Sequence, residues 1–134
     1  MKDRTELRDY ARGELGGGSI YDGYLPRGEV LARVAALLPR AHVVVVSGAW
    51  CKDCRREVPK FARIAERLSS WTVEVLSDDR ETRDALEVRR IPTFVVRHPD
   101  SGEELGRIVE SPESGSLEGD LLAIAERHPS RITA

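Results

Sequence analysis

The chain has 134 residues, 40% of them hydrophobic and 33% charged, with 21 Lys and Arg against 23 Asp and Glu for a formal charge of −2. That length suits one domain with a core of its own, and interspersed, nearly balanced charge argues against a nucleic-acid surface. No stretch approaches the roughly 18 apolar residues of a membrane helix, and the start MKDRTELRDYARGELGGG lacks the apolar segment of a secretory leader. The expected location is therefore the cytoplasm, where a cysteine pair is more often catalytic or metal-binding than structural.

Residues 1–27 read as an N-terminal extension, partly flexible, ahead of a domain over residues 28–134. The extension opens with a charged helical segment from Arg4 to Arg12, followed by Gly16-Gly17-Gly18. Serial glycines carry a high conformational entropy, so a flexible join and a loosely docked terminus are expected. Tyr21, Tyr24 and Leu25 supply apolar weight before Pro26 and are expected to pack the arm on the body.

From Gly28 to Leu38, Val30, Leu31, Val34, Leu37 and Leu38 share one helical face, and Pro39 ends the helix. The run Val43-Val44-Val45-Val46 predicts a buried strand over about 42–47. After Ser47-Gly48-Ala49 and the cysteines comes a second helix with Val58, Phe61, Ala62, Ala65 and Leu68 on its stripe. Pro59 falls inside it and should kink the axis. A strand over Trp71 to Leu76 then implies a parallel pair joined by a right-handed crossover.

A short helix over Arg80–Glu87 precedes Ile91-Pro92-Thr93-Phe94-Val95-Val96, with Pro92 at the start of a strand. Pro99-Asp100-Ser101-Gly102 is a turn joining that strand to Glu104–Val109 as a hairpin. Ser116 can cap a last helix carrying Leu117, Leu121, Leu122 and Ile124, with Glu118 and Asp120 suited to its first turn.

Trp50-Cys51-Lys52-Asp53-Cys54 holds both of the chain's cysteines, where a strand gives way to a helix. Unpaired N–H groups and partial positive charge at a helix start favour thiolate over thiol. Cys51 is the candidate attacking thiolate and Cys54 the resolver of a mixed disulfide. Lys52 and Arg55 add positive charge near the sulfurs, and Asp53 opposes it. Trp50 is either a core residue or a flat wall beside the reactive sulfur. Two other readings stay open: inert buried cysteines, and a zinc or iron–sulfur site, which needs four ligands. His42, His98 and His128 stand at no ligand spacing from one another and read as surface or loop residues. No serine nucleophile motif or phosphate-cradling glycine pattern is present, and Asp78-Asp79 and Glu103-Glu104 read as solvated loop charges.

Taken together, these residues resemble the thioredoxin-like superfamily over about residues 28–127. Trp50-Cys51-Lys52-Asp53-Cys54 is similar to its W-C-x-x-C site, Pro59 to its kinking helix proline, and Ile91-Pro92-Thr93 to its cis-proline signature. Gly102, Gly106 and the last helix fit its closing hairpin and helix. The resemblance implies an α/β fold with a central mixed sheet flanked by helices, a cis Ile91–Pro92 bond, and an Ile91 backbone that pairs with an extended substrate.

It also implies a thiol–disulfide oxidoreductase acting on protein or small-thiol disulfides. An unidentified reductant recharges the Cys51–Cys54 pair, with no organic cofactor and no metal, and a monomer is expected. Three departures stand out. Lys52-Asp53 replaces the Gly-Pro of ordinary thioredoxin. The family's buried acid, five residues before the tryptophan, is Val45 here, so Asp53 or Glu74 is the candidate replacement carboxylate. Arg89 and Arg90 precede the Ile-Pro pair and either bias docking toward acidic partners or form a solvated loop. A binding module without turnover, or a metal carrier, is the alternative use of the same residues.

Overall fold

The unbroken apolar run His42–Ser47 becomes β1, and its side chains from Val43 onward are buried on both faces. Such a pattern belongs to an interior strand. In the computed structural model, which describes residues 4–128, β1 is interior to a four-stranded sheet of order β2-β1-β3-β4. The neighbours are β2 (Thr72–Ser77), β3 (Thr93–Arg97) and β4 (Glu104–Val109). β1 pairs parallel with β2 and antiparallel with β3, and β3 pairs antiparallel with β4. At the edge, β2 alternates, with Val73 and Val75 buried and Thr72 exposed. Helices α1 (Arg4–Arg12), α2 (Gly18–Gly23) and α3 (Gly28–Leu37) precede the sheet. Helix α4 (Lys52–Arg67) connects β1 to β2, α5 (Arg80–Leu86) connects β2 to β3, and α6 (Leu117–Glu126) follows β4. The α/β class and the mixed sheet flanked by helices are as expected.

Strand alternation assigns the two faces. Val43, Val45 and Ser47 share a face with their cross-strand neighbours Val96 and Phe94, and with Ile108 beyond them. Helix α4 covers this face, with the Phe61 and Phe94 rings 5.0 Å apart and tilted by 45°. Helix α6 lies on it too, since a Cβ at Gly106 would come within 2.7 Å of Ile124. Val44, Val46 and Val95 face the other way, with Glu74 and Arg107. There Arg107 donates to the carbonyls of Leu86 and Glu87 at the end of α5.

The caps explain where three helices begin. Ser116 accepts from the Gly119 amide, Asp79 from Thr82, and the Cys51 sulfur from Cys54. Helix α4 runs continuously through Pro59. Pro92 immediately precedes β3, so the interior strand loses no donor to it.

Three expectations for the N-terminal segment need correcting. The arm is docked on the body: Leu7, Ala11 and Leu15 are buried, α1 packs on α4, and Arg12 pairs with Asp22 of α2 at 2.5 Å. Leu7, Tyr10 and Ala11 fall at i, i+3 and i+4, a narrow apolar stripe on a charged helix. The glycine run is a packed turn into α2 instead of a flexible join. A Cβ at Gly17 would lie 2.3 Å from the Pro59 ring, Gly16 takes φ +64°, and α2 begins at Gly18. Tyr21 is buried and bonds to Glu66, and Tyr24 is half-buried, but Leu25 is 74% exposed and packs nothing down.

Candidate functional site

Both cysteines are free thiols at the junction of β1 and α4. Cys51 is the N-cap of α4, in extended conformation, and its sulfur accepts from the Cys54 amide at 3.2 Å. Its thiol also lies 3.6 Å from the Ile91 carbonyl. The chain therefore holds one sulfur against the unsatisfied amides of a helix start and beside the Ile91–Pro92 bond, which is cis.

Cys51 is 8% exposed and Cys54 0%. One sulfur thus meets the surface while the other sits beneath it. Burial pushes the Cys54 thiol up to about 12, and its donation toward Cys51 adds to the rise. The nearby Gly48 amide and Ser47 hydroxyl act in the opposite direction.

Trp50 is not a core residue: it is 70% exposed. Its indole folds over the turn that links Cys51 N to Gly48 O, and a Cβ at Gly48 would lie 2.8 Å from Trp50 Nε1 and 3.4 Å from Ile91 Cδ1. Glycine is needed there for close approach, and Trp50 and Ile91 meet above it beside Cys51. Pro92 follows in the same loop.

The charged neighbours of the cysteines each have a defined setting. Lys52 is exposed and lines a cavity of about 650 Å³ with Glu14, Arg55 and Arg56. Arg55 turns back to donate to the Ala49 carbonyl at 2.8 Å. Asp53 pairs with Arg56 at 2.9 Å. Glu74 bonds to His42 and, by strand alternation, stands on the sheet face opposite Ser47 and Cys54. The position of the family's buried acid is Val45, fully enclosed. Arg89 and Arg90 are exposed, with Arg90 paired to Glu110 at 3.1 Å.

Two residues next to the sulfurs escape sequence reasoning as site residues. Ser47 lies near Cys54 and lowers its thiol against the effect of burial, and the Tyr10 hydroxyl of α1 lies 2.8 Å from the Ser47 hydroxyl. Burial pushes the Tyr10 phenol up, so it stays protonated at neutral pH. A contact spanning 37 positions leaves no local trace in the sequence. The only available signal was the i, i+3, i+4 stripe that includes Tyr10.

Among the described residues, no three His, Cys, Asp or Glu side chains group to hold a metal ion. His42 bonds to Thr72 and Glu74, His98 accepts from the Asp100 and Ser101 amides, and His128 meets the Leu105 carbonyl. No helix among the described residues is long and apolar enough to cross a membrane.

A family model described as thioredoxin matches residues 15–117, which include the whole site apart from Tyr10. No curated protein matches the chain. Two solved structures share the fold. One is a protein of unknown function from Pseudomonas aeruginosa, at 22% identity and TM-score 0.65, covering 95% of this chain and 99% of its own. The other is an HIV epitope-scaffold, at 23% identity and TM-score 0.68, covering 94% of this chain and 93% of its own.

Proposed function

Because the chain belongs to the thioredoxin family, we propose that it is a thiol–disulfide oxidoreductase, with Cys51 as nucleophile and Cys54 as resolver. One observation carries the reading: Cys51 caps α4, its sulfur on the Cys54 amide and beside the Ile91 carbonyl. The Cys51 thiolate attacks one sulfur of a substrate disulfide, forming a mixed disulfide and expelling the other sulfur as thiolate. Cys54 then gives up its proton and attacks Cys51 Sγ. The second substrate sulfur leaves as thiolate, so the substrate has gained two electrons and the enzyme pair, now a disulfide, has lost them.

Substrates are disulfides of proteins or small thiol compounds. Trp50 and Ile91 form the docking surface, with Pro92 shaping its floor. Both thiols and the docking residues come from one chain, so a monomer suffices. The pair itself carries the electrons, no organic cofactor enters the scheme, and an external reductant recharges it. A cytoplasmic setting, kept reducing, suits that direction.

Trapping tests the scheme. Cys54→Ser should accumulate a mixed disulfide at Cys51 with a disulfide-bonded model protein, detected by mass, and turn over no further. Cys51→Ser should form none. Undiminished exchange by Cys51→Ser would refute the assignment.

A further inference from the structure

Resolution requires that Cys54 lose a proton, yet Cys54 is fully enclosed and the family's acid is replaced by Val45. Asp53 is engaged by Arg56, and Glu74 stands on the other face of the sheet. A different set of groups reaches the sulfur. Ser47, at the end of β1, lies on the sheet face that α4 and its Cys54 cover, close enough to lower the Cys54 thiol, and Tyr10 places its hydroxyl 2.8 Å from that of Ser47. Both hydroxyls belong to buried residues. Tyr10 and Ser47 also line a cavity of about 420 Å³ with Glu14, Gly48, Trp50 and Asp78. The hydroxyl pair thus runs from beside the enclosed sulfur to an open, water-accessible cavity next to Trp50.

We propose that Ser47 and Tyr10 are positioning residues for the resolving step, a two-hydroxyl relay through which the Cys54 proton leaves. The inference rests on the redox reading above and adds the N-terminal helix to the site. As Cys54 attacks Cys51 Sγ, its proton passes to Ser47 Oγ. The Ser47 proton passes to Tyr10 Oη, and the Tyr10 proton goes to water in the cavity. The electron pair stays on Cys54 and forms the new S–S bond, and the substrate thiolate departs with the pair from the broken one. No charge is left on either hydroxyl.

The same contacts favour the charged sulfur just before attack, since a hydroxyl donating to a thiolate stabilises it. The titratable and charged groups facing this chain of atoms are Cys51, Cys54, Tyr10 and Glu14. Across the cavity Asp78 is held by Arg83.

The test uses the full chain and an aromatic disulfide, 5,5′-dithiobis(2-nitrobenzoate), in rapid mixing. The first thiolate released reports attack by Cys51, and the second reports resolution by Cys54. Tyr10→Phe and Ser47→Ala should leave the first release within about twofold while slowing the second roughly tenfold at pH 7, as expected for one lost hydrogen bond in a transition state. The deficit should shrink as pH rises, because hydroxide replaces the relay. Thermal melts of the reduced variants separate the proposal from a structural role.

An unchanged second release in both variants at every pH would overturn the relay and leave the redox reading intact. Equal slowing of both releases, in step with lost stability, would also overturn it. No second release from the unmodified protein would overturn the dithiol reading itself, and the relay with it.

Discussion

Burial divides the labour between the two thiols, and this can be measured by alkylation. The Cys54 thiol is pushed up to about 12, first by enclosure and next by its bond to Cys51. At pH 8 about 1 in 10,000 of such a thiol is ionised, against about a quarter for an unhindered cysteine near pKa 8.5. Cys54 in the folded, reduced protein should therefore react with iodoacetamide about 2,000-fold more slowly than in the urea-unfolded chain. The assay is a series of short pulses from pH 6 to 10, quenched, digested and read by mass at each cysteine. The Cys54 rate should climb tenfold per pH unit with no plateau in that range. A plateau below pH 10, or a rate at pH 8 within tenfold of the unfolded chain, would refute the argument.

Linkage supplies a second reading of the same shift. A pKa raised on folding gives stability that is complete below the unfolded thiol's value near about 8.5 and lost as pH climbs toward about 12. Urea midpoints of the reduced protein should fall through that window, and Cys54→Ala should weaken the dependence.

Three further outcomes follow from packing. Leu7→Ala empties a fully buried site beneath α1 and should cost about 2–5 kcal/mol in urea unfolding; a change under about 0.5 kcal/mol would mean that α1 is not part of the core. Trp50→Ala removes an exposed ring, so stability should shift by less than about 0.5 kcal/mol, while kcat/KM for a model protein disulfide falls severalfold. Gly106→Ala would press a methyl within 2.7 Å of Ile124 Cγ1 and should cost about 1–3 kcal/mol, read as a lower melting temperature.

What the sequence made legible was mostly local. The valine run, the turn at Pro99–Gly102 and the Ser116 cap each announce an element through neighbouring residues, and the structure places β1, the hairpin and α6 accordingly. The cysteine pair was legible because its spacing matches one helical turn starting at a strand end. The N-terminal arm was not. Its three glycines look like a linker in isolation, and only the approach to Pro59, 42 positions after Gly17, explains why a side chain is excluded there. The same holds for Glu118, whose carboxylate is buried and satisfied by Tyr24 and the Arg27 amide. Tyr10 was hidden likewise, since its hydroxyl partner lies on a different element. Residues whose roles come from distant partners carry no periodic or motif signature.

The most direct test of the central claim is a redox titration of the Cys51–Cys54 pair in graded dithiol buffers, followed by alkylation and mass analysis. A single two-electron transition to a monomeric intramolecular disulfide is predicted. A midpoint near about −270 mV identifies a reductase, and one between about −180 and −120 mV an isomerase or oxidant. If both thiols remain alkylatable at every poise, the pair does not exchange electrons and the account is wrong.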